Sequence, residues 1–140
     1  MTQITRAVNE PILSFAAGSS ERASLQAKYD EMATQTIEIP LIIDGKEIKT
    51  GDMGNCVMPH NHQHVLATYH KAGETEVIQA IDVAMKSWKT WSTTTLEERT
   101  KIFRKAAELL QGPWRDTINA ATMLNQSKNA FQAEVDAACE

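Results

Sequence analysis

The chain has little of what would settle its chemistry at once. Among 140 residues there are only two cysteines, Cys56 and Cys139, set far apart in the sequence. The opening residues MTQITRAVNEPI carry one arginine and no apolar core, so neither a secretory signal nor a transit peptide is expected. A structural disulfide is therefore not expected, and the cytoplasm is the expected compartment. Basic excess is missing too: the net charge is −4 and Lys and Arg are scattered, which argues against nucleic-acid binding. No apolar run approaches the roughly 18 residues that a membrane-spanning helix needs, so no membrane span is expected. There is no Gly-x-Gly-x-x-Gly turn, no Walker loop and no carboxylate pair of obvious catalytic spacing.

What is present is an ordinary globular composition. Hydrophobic residues make up 42% and charged residues 23%, enough for one domain that buries about 68% of its unfolded surface. Three stretches divide the chain: a leader and short helix over 1–35, β-hairpin strands over 36–72, and a helical region over 73–140.

The leader is irregular, punctuated by Asn9-Glu10-Pro11 and Gly18. Ser19 and Ser20 offer caps for a short helix with Leu25, Tyr29 and Met32 on one narrow face, which predicts a surface position. From Thr36 the pattern alternates as a strand does. Asp44-Gly45 supplies the positive φ values of a tight type I′ turn, and Pro40 marks a sheet edge or a break. Gly51 and Gly54 are read as a second turn before Asn55-Cys56-Val57-Met58, and Val65–Tyr69 as another short strand.

The helical region opens after Gly73 with Thr75 as N-cap, and Val77, Ile81, Ala84, Met85 and Trp88 form a face expected to be buried. Thr95 and Glu98 have capping-box spacing for a helix whose apolar face is Ile102, Phe103, Ala106, Ala107 and Leu110. Gly112, taking a left-handed backbone, and Pro113 stop it. A third helix carries Ile118, Ala121 and Leu124. Asn129 with Gln132 caps a last one, with Phe131, Val135 and Ala138 inward. That helix has no stop signal, and Glu134, Asp136 and Glu140 put negative charge toward an end that disfavours it. We therefore expect an opening segment of a larger enzyme, interrupted at Glu140.

Candidate chemistry is sparse. His60, His62 and His64 alternate, with His70 nearby. Pro59 and Asn61 make this stretch a turn, no carboxylate or thiol stands at ligand spacing, and a solvated turn is the better reading than a metal site. Cys56 lacks a neighbouring base, and Cys139 sits among alanines as a core residue; neither reads as a nucleophile. Trp88, Trp91 and Trp114 are read as packing between helices, and Lys86, Lys89, Lys101 and Arg104 as solvated faces.

The hairpin around IDGKEI, the turn VMPHNHQHV, the helix ETEVIQAIDVAMKSWKTW and then LEERTKIFRKAAELL, in that order, resemble the start of the aldehyde dehydrogenase superfamily. NEPILSFAAGSSERASLQ, PHNHQHV, AAELLQGPWRDTINAATML and SKNAFQAEVDAACE are similar to its pyrroline-carboxylate branch. The similarity covers nearly all of the chain. It implies an α/β fold, with this piece supplying edge β-hairpins and early helices of a Rossmann-like NAD-binding domain. It also implies NAD-dependent oxidation of glutamate γ-semialdehyde, the open form of pyrroline carboxylate, to glutamate, by a homo-oligomeric enzyme of proline catabolism. In that family a cysteine thiolate attacks the aldehyde, hydride passes to NAD, and an activated water releases the acid.

The resemblance places that cysteine, the general-base glutamate and most of the cofactor cleft further along a longer chain. Neither Cys56 nor Cys139 matches the nucleophile motif, so no catalytic or cofactor-binding residue is assigned within these residues. One position carries over: the glutamate after the Asp-Ala-Ala-x run, here Glu140, is expected near the substrate tunnel. Two positions depart from the pattern: His60 stands where an aromatic residue is common, and Asn125 where glycine is usual, a turn that asparagine can accommodate. The 140 residues alone are expected to be inactive and poorly folded. The alternative is a stand-alone helical interaction module, docking a partner through its tryptophan-bearing faces.

Overall fold

The computed structural model describes residues 8–139; Glu140, the one assigned site residue, lies outside the described residues. The architecture is α/β. Helix α1 (Ser20–Ala33) leads to strands β1 (Ile37–Ile39), β2 (Leu41–Ile43), β3 (Lys46–Ile48), β4 (Met53–Met58) and β5 (Asn61–His70). Helices α2 (Glu74–Trp91), α3 (Leu96–Gln111), α4 (Arg115–Gln126) and α5 (Ala130–Ala133) follow, and α5 runs into a π-helical turn, Glu134–Cys139.

Proline and glycine chemistry explains the strand layout. Pro40 has no N–H to donate, and at that residue the chain leaves one sheet for another. β1 pairs in parallel with β5, Ile37 opposite Ala67, whereas β2 pairs antiparallel with β3, Leu41 opposite Ile48. Asp44 and Gly45 join β2 to β3 at φ 55° and 71°, as a two-residue hairpin turn requires. The larger sheet has the order β1-β5-β4. Gly54 is not part of a turn: it sits inside β4, where a Cβ would lie 2.4 Å from Tyr69 Cζ. Glycine is needed there because the Tyr69 ring lies across its backbone. Gly51, at φ 82°, makes the turn alone. β5 also starts earlier than the histidine pattern suggests, so His62 and His64 are strand residues and only Pro59-His60 form the turn.

The core sits where the sequence pattern was weakest. Phe15, Leu25 and Ala120 are buried together, with Leu13, Tyr29, Met32, Met123 and Ala130 packed around them. Helix α1 is thus no surface ornament. Its narrow face suffices because the leader folds back over it, with Phe15 held at φ 49° to aim its ring inward. A bulky side chain at positive φ is strained, and burial of the ring offsets that cost. Ser19 caps α1 by accepting from the Arg22 amide at 3.3 Å.

The apolar faces of α2 and α3 are not buried. Met85 is 62% exposed, Trp88 61% and Phe103 69%, because no described residue packs over them. Trp91 and Trp114 are likewise exposed, so the tryptophans do not pack between helices here. Helix α2 is capped from Gly73, whose N–H donates to Glu76 Oε2 at 2.8 Å, so Thr75 lies inside the first turn. Thr95 caps α3, accepting from the Glu98 amide at 3.2 Å while its own N–H donates to Glu98 Oε2 at 3.0 Å. Gly112 ends α3 at φ −109°, ψ −110° and not in the left-handed region; Ser127, at φ 54°, takes the left-handed corner instead of Asn125, which remains helical.

Candidate functional site

Helix α4 turns an unusual face inward. Arg115 and Asn119, one turn apart, are buried on the side that also carries Ala120 and Leu124. Opposite them the last helix presents Ala133 and Glu134, while Phe131 faces solvent. Glu134 and Asn119 are each 0% exposed. A buried carboxylate is tolerated only when paired and fully hydrogen-bonded, and Glu134 meets that condition. It accepts from Arg115 Nε at 3.2 Å and from Arg115 Nη2, from Asn119 Nδ2 at 2.7 Å, and from the Leu13 amide at 2.8 Å. The same guanidinium donates outward to Glu10 Oε1 at 2.6 Å and to the Pro11 carbonyl at 2.7 Å. One arginine therefore joins the leader, α4 and the π-helical turn.

The electrostatics follow from this pairing. Burial works to raise the Glu134 carboxyl, but donation from Arg115, Leu13 and Asn119 outweighs it and holds the carboxyl below its ordinary value. The bond to Glu134 holds Arg115 firmly protonated. Burial pushes the Cys139 thiol up, which makes it a poor nucleophile at neutral pH.

A second polar cluster lies at the β1–β5 edge. The Gly51 amide donates to Nδ1 of buried His70 at 3.1 Å, so the ring proton sits on Nε2, which donates to Glu38 Oε1 at 2.9 Å. Lys49 donates to the other oxygen, and these two bonds hold the Glu38 carboxyl below its usual range. The cluster ties strands β1 and β5 to the loop between β3 and β4.

The remaining candidates do not converge. His60 Nδ1 lies 2.8 Å from Ser127 Oγ, pinning the β4–β5 turn to the corner after α4. Among the described residues no three His, Cys, Asp or Glu side chains are arranged to hold a metal ion. Cys56 Sγ donates to Asn125 Oδ1 at 3.2 Å and lines a cavity of about 200 Å³ with Met32, Ile37, Ala67 and Leu124. No histidine or carboxylate lines that cavity, so Cys56 has no base. Lys86, Lys89, Lys101 and Arg104 are exposed. Sequence reasoning missed Glu10, Arg115, Asn119 and Glu134. The available signal was a polar residue at a stripe position on each of two adjacent helices.

The profile of the aldehyde dehydrogenase family matches residues 48–139, most of the chain. The chain belongs to the aldehyde dehydrogenase family. Within that family, the delta-1-pyrroline-5-carboxylate dehydrogenase of Agaricus bisporus is 45% identical over 133 residues, covering 94% of this chain and 24% of the relative. The mitochondrial enzyme of that name from Homo sapiens is 37% identical over 139 residues, covering 99% of this chain and 25% of its own length. The crystal structure of the Mycobacterium tuberculosis delta-pyrroline-5-carboxylate dehydrogenase superposes with a TM-score of 0.95 at 38% identity, over 100% of this chain and 26% of that one. The same enzyme has been solved bound with NAD. The chain thus spans about a quarter of the length of the relatives it matches.

Proposed function

We propose that this chain is the opening part of an enzyme that oxidises L-glutamate γ-semialdehyde, from ring-opened 1-pyrroline-5-carboxylate, to L-glutamate with NAD, in proline catabolism. The observation that carries the reading is the match to relatives of that name along nearly the whole chain, joined to a backbone that superposes end to end on one of their structures. Among the described residues there is no glycine-rich strand-to-helix turn and no strand–helix–strand unit. These residues therefore do not fit a dinucleotide by themselves, and no step through NAD is derived from them. What they contribute is placement. The Arg115–Glu134 pair fixes the last turn against the leader and α4, and the sheets set β1 and β5 side by side.

Glu140 belongs to the same proposal as a substrate-facing carboxylate, on the resemblance alone. Homo-oligomeric assembly and a cytoplasmic location also belong to it. Light scattering on the complete gene product and localisation of its tagged form test these, a monomer or an organellar signal counting against them. The activity is tested by supplying pyrroline-5-carboxylate and NAD to the complete gene product and following NADH at 340 nm, with glutamate quantified in parallel. Absence of both products overturns the reading. Glu140→Ala is expected to raise KM for the semialdehyde and leave KM for NAD unchanged.

A further inference from the structure

Histidine is the side chain whose ordinary titration falls between about pH 5 and 8, and among the described residues His70 alone of the histidines is buried. Both of its ring nitrogens are engaged: Nδ1 accepts from the Gly51 amide at 3.1 Å and Nε2 donates to Glu38 Oε1 at 2.9 Å. This pattern admits only the neutral ring. A second proton would have to sit on Nδ1, where the Gly51 N–H already points, and two donors cannot share that position. The loop that carries Gly51 is also tied to the residue after β5. Thr50 Oγ1 donates to the Lys71 carbonyl at 2.9 Å, the Lys71 amide donates to the Asp52 carbonyl at 2.8 Å, and Lys71 Nζ pairs with Asp52 at 3.2 Å. Two residues further on, Gly73 caps α2. The charges around the ring are few. Glu38 on β1 touches it, and Lys49 on the loop, which Glu47 also attracts, pairs with Glu38 at 2.5 Å. Asp52 and Lys71 neutralise each other, and Met53, opposite His70 on β4, brings no charge.

We infer that His70 is a pH-sensitive latch: the neutral ring holds the Lys49–Asp52 loop closed over the β5–α2 connection, and protonation of Nδ1 releases the loop. The direction follows from the two contacts. Glu38 favours the charged ring and keeps its bond to Nε2, so β1 and β5 stay joined. The Gly51 amide loses its acceptor, so the loop, and with it the grip on Lys71, is what gives way. The latch is therefore closed above the range in which histidine titrates and opens as pH falls through it. It depends only on this cluster and not on the activity proposed above.

The test is amide hydrogen exchange on the complete gene product, read by mass spectrometry between about pH 8 and 5 and corrected for the intrinsic pH dependence of exchange. Peptides covering Gly51 and Lys71 report the latch, and a peptide covering Leu25 reports the core. In the wild type the latch peptides should exchange about tenfold faster at the acid end, the loss of one hydrogen bond, while the core peptide holds its rate. His70→Asn, which offers an acceptor that does not titrate, should abolish the pH dependence. Glu38→Gln keeps an acceptor for Nε2 and removes the charge that favours the protonated ring, so its latch should open at lower pH than the wild type. Three results overturn the inference: latch exchange that does not change with pH, an acid acceleration that His70→Asn retains, or an acceleration that the core peptide shares. Should His70→Asn fail to fold, Glu38→Gln decides: opening at lower pH upholds the latch, and opening at the same or higher pH overturns it.

Discussion

Glu134 shows how far one residue can escape a reading of sequence alone. In the sequence it is one of three acids crowding an unfavourable helix end; in the fold it is fully buried and accepts from three residues, two on α4 and one in the leader. Its partners lie 15 to 121 positions away in the chain, which no local pattern reveals. Because its carboxyl titrates below the unfolded value, the stability it contributes is present above the ordinary carboxylate range. That stability is lost as pH falls through the folded-state value. Acid titration of the folded signal should therefore show a transition that Glu134→Gln removes. The same substitution leaves Arg115 buried without its counter-charge and should cost about 3–5 kcal/mol in urea unfolding. Gly54 is a second residue misread locally. Gly54→Ala should cost about 1 kcal/mol, at the low end for overpacking, because the Tyr69 ring it meets is 40% exposed and can swing outward. Little or no cost of Gly54→Ala in a Tyr69→Ala background would confirm that contact.

At the scale of elements the sequence was far more legible, because caps and turns are written in adjacent residues. The Asp44-Gly45 hairpin, the break at Pro40, the Thr95–Glu98 box and the Asn129–Gln132 box all stand where spacing placed them. Thr95→Ala should destabilise α3 by about 1 kcal/mol, seen as a lower helical signal on thermal melting, with Thr95→Ser restoring most of it. The errors share one cause. Spacing points to Thr75 for the helix start after Gly73, to Asn125 for the left-handed corner and to a left-handed Gly112 for the helix stop, and in each case a neighbouring residue or another backbone region meets the same requirement. Periodicity identified amphipathic faces on α2 and α3 correctly as apolar. It carried no information on whether a covering partner lies within the same 140 residues.

That covering question belongs to the whole molecule. Apolar side chains of α2 and α3, with Trp88 and Trp91, face outward over a surface that a soluble monomer rarely shows. In the proposed enzyme the rest of the fold is expected to cover these faces. The 140-residue chain alone should bind the dye ANS strongly and self-associate, and Met85→Glu should weaken both. In the complete gene product the same substitution should lower the melting temperature, since it places a charge in a buried seam. Family membership was legible from ordered motifs spread along the chain. The buried Arg115–Glu134 pair was not, because its leader partners Glu10, Pro11 and Leu13 lie in a stretch without periodicity.

The most direct measurement compares two polypeptides, the complete gene product and residues 1–140, each given pyrroline-5-carboxylate and NAD, with NADH and glutamate followed together. Equimolar NADH and glutamate are expected from the first and neither from the second. Turnover by residues 1–140, or none by the complete gene product, would contradict it.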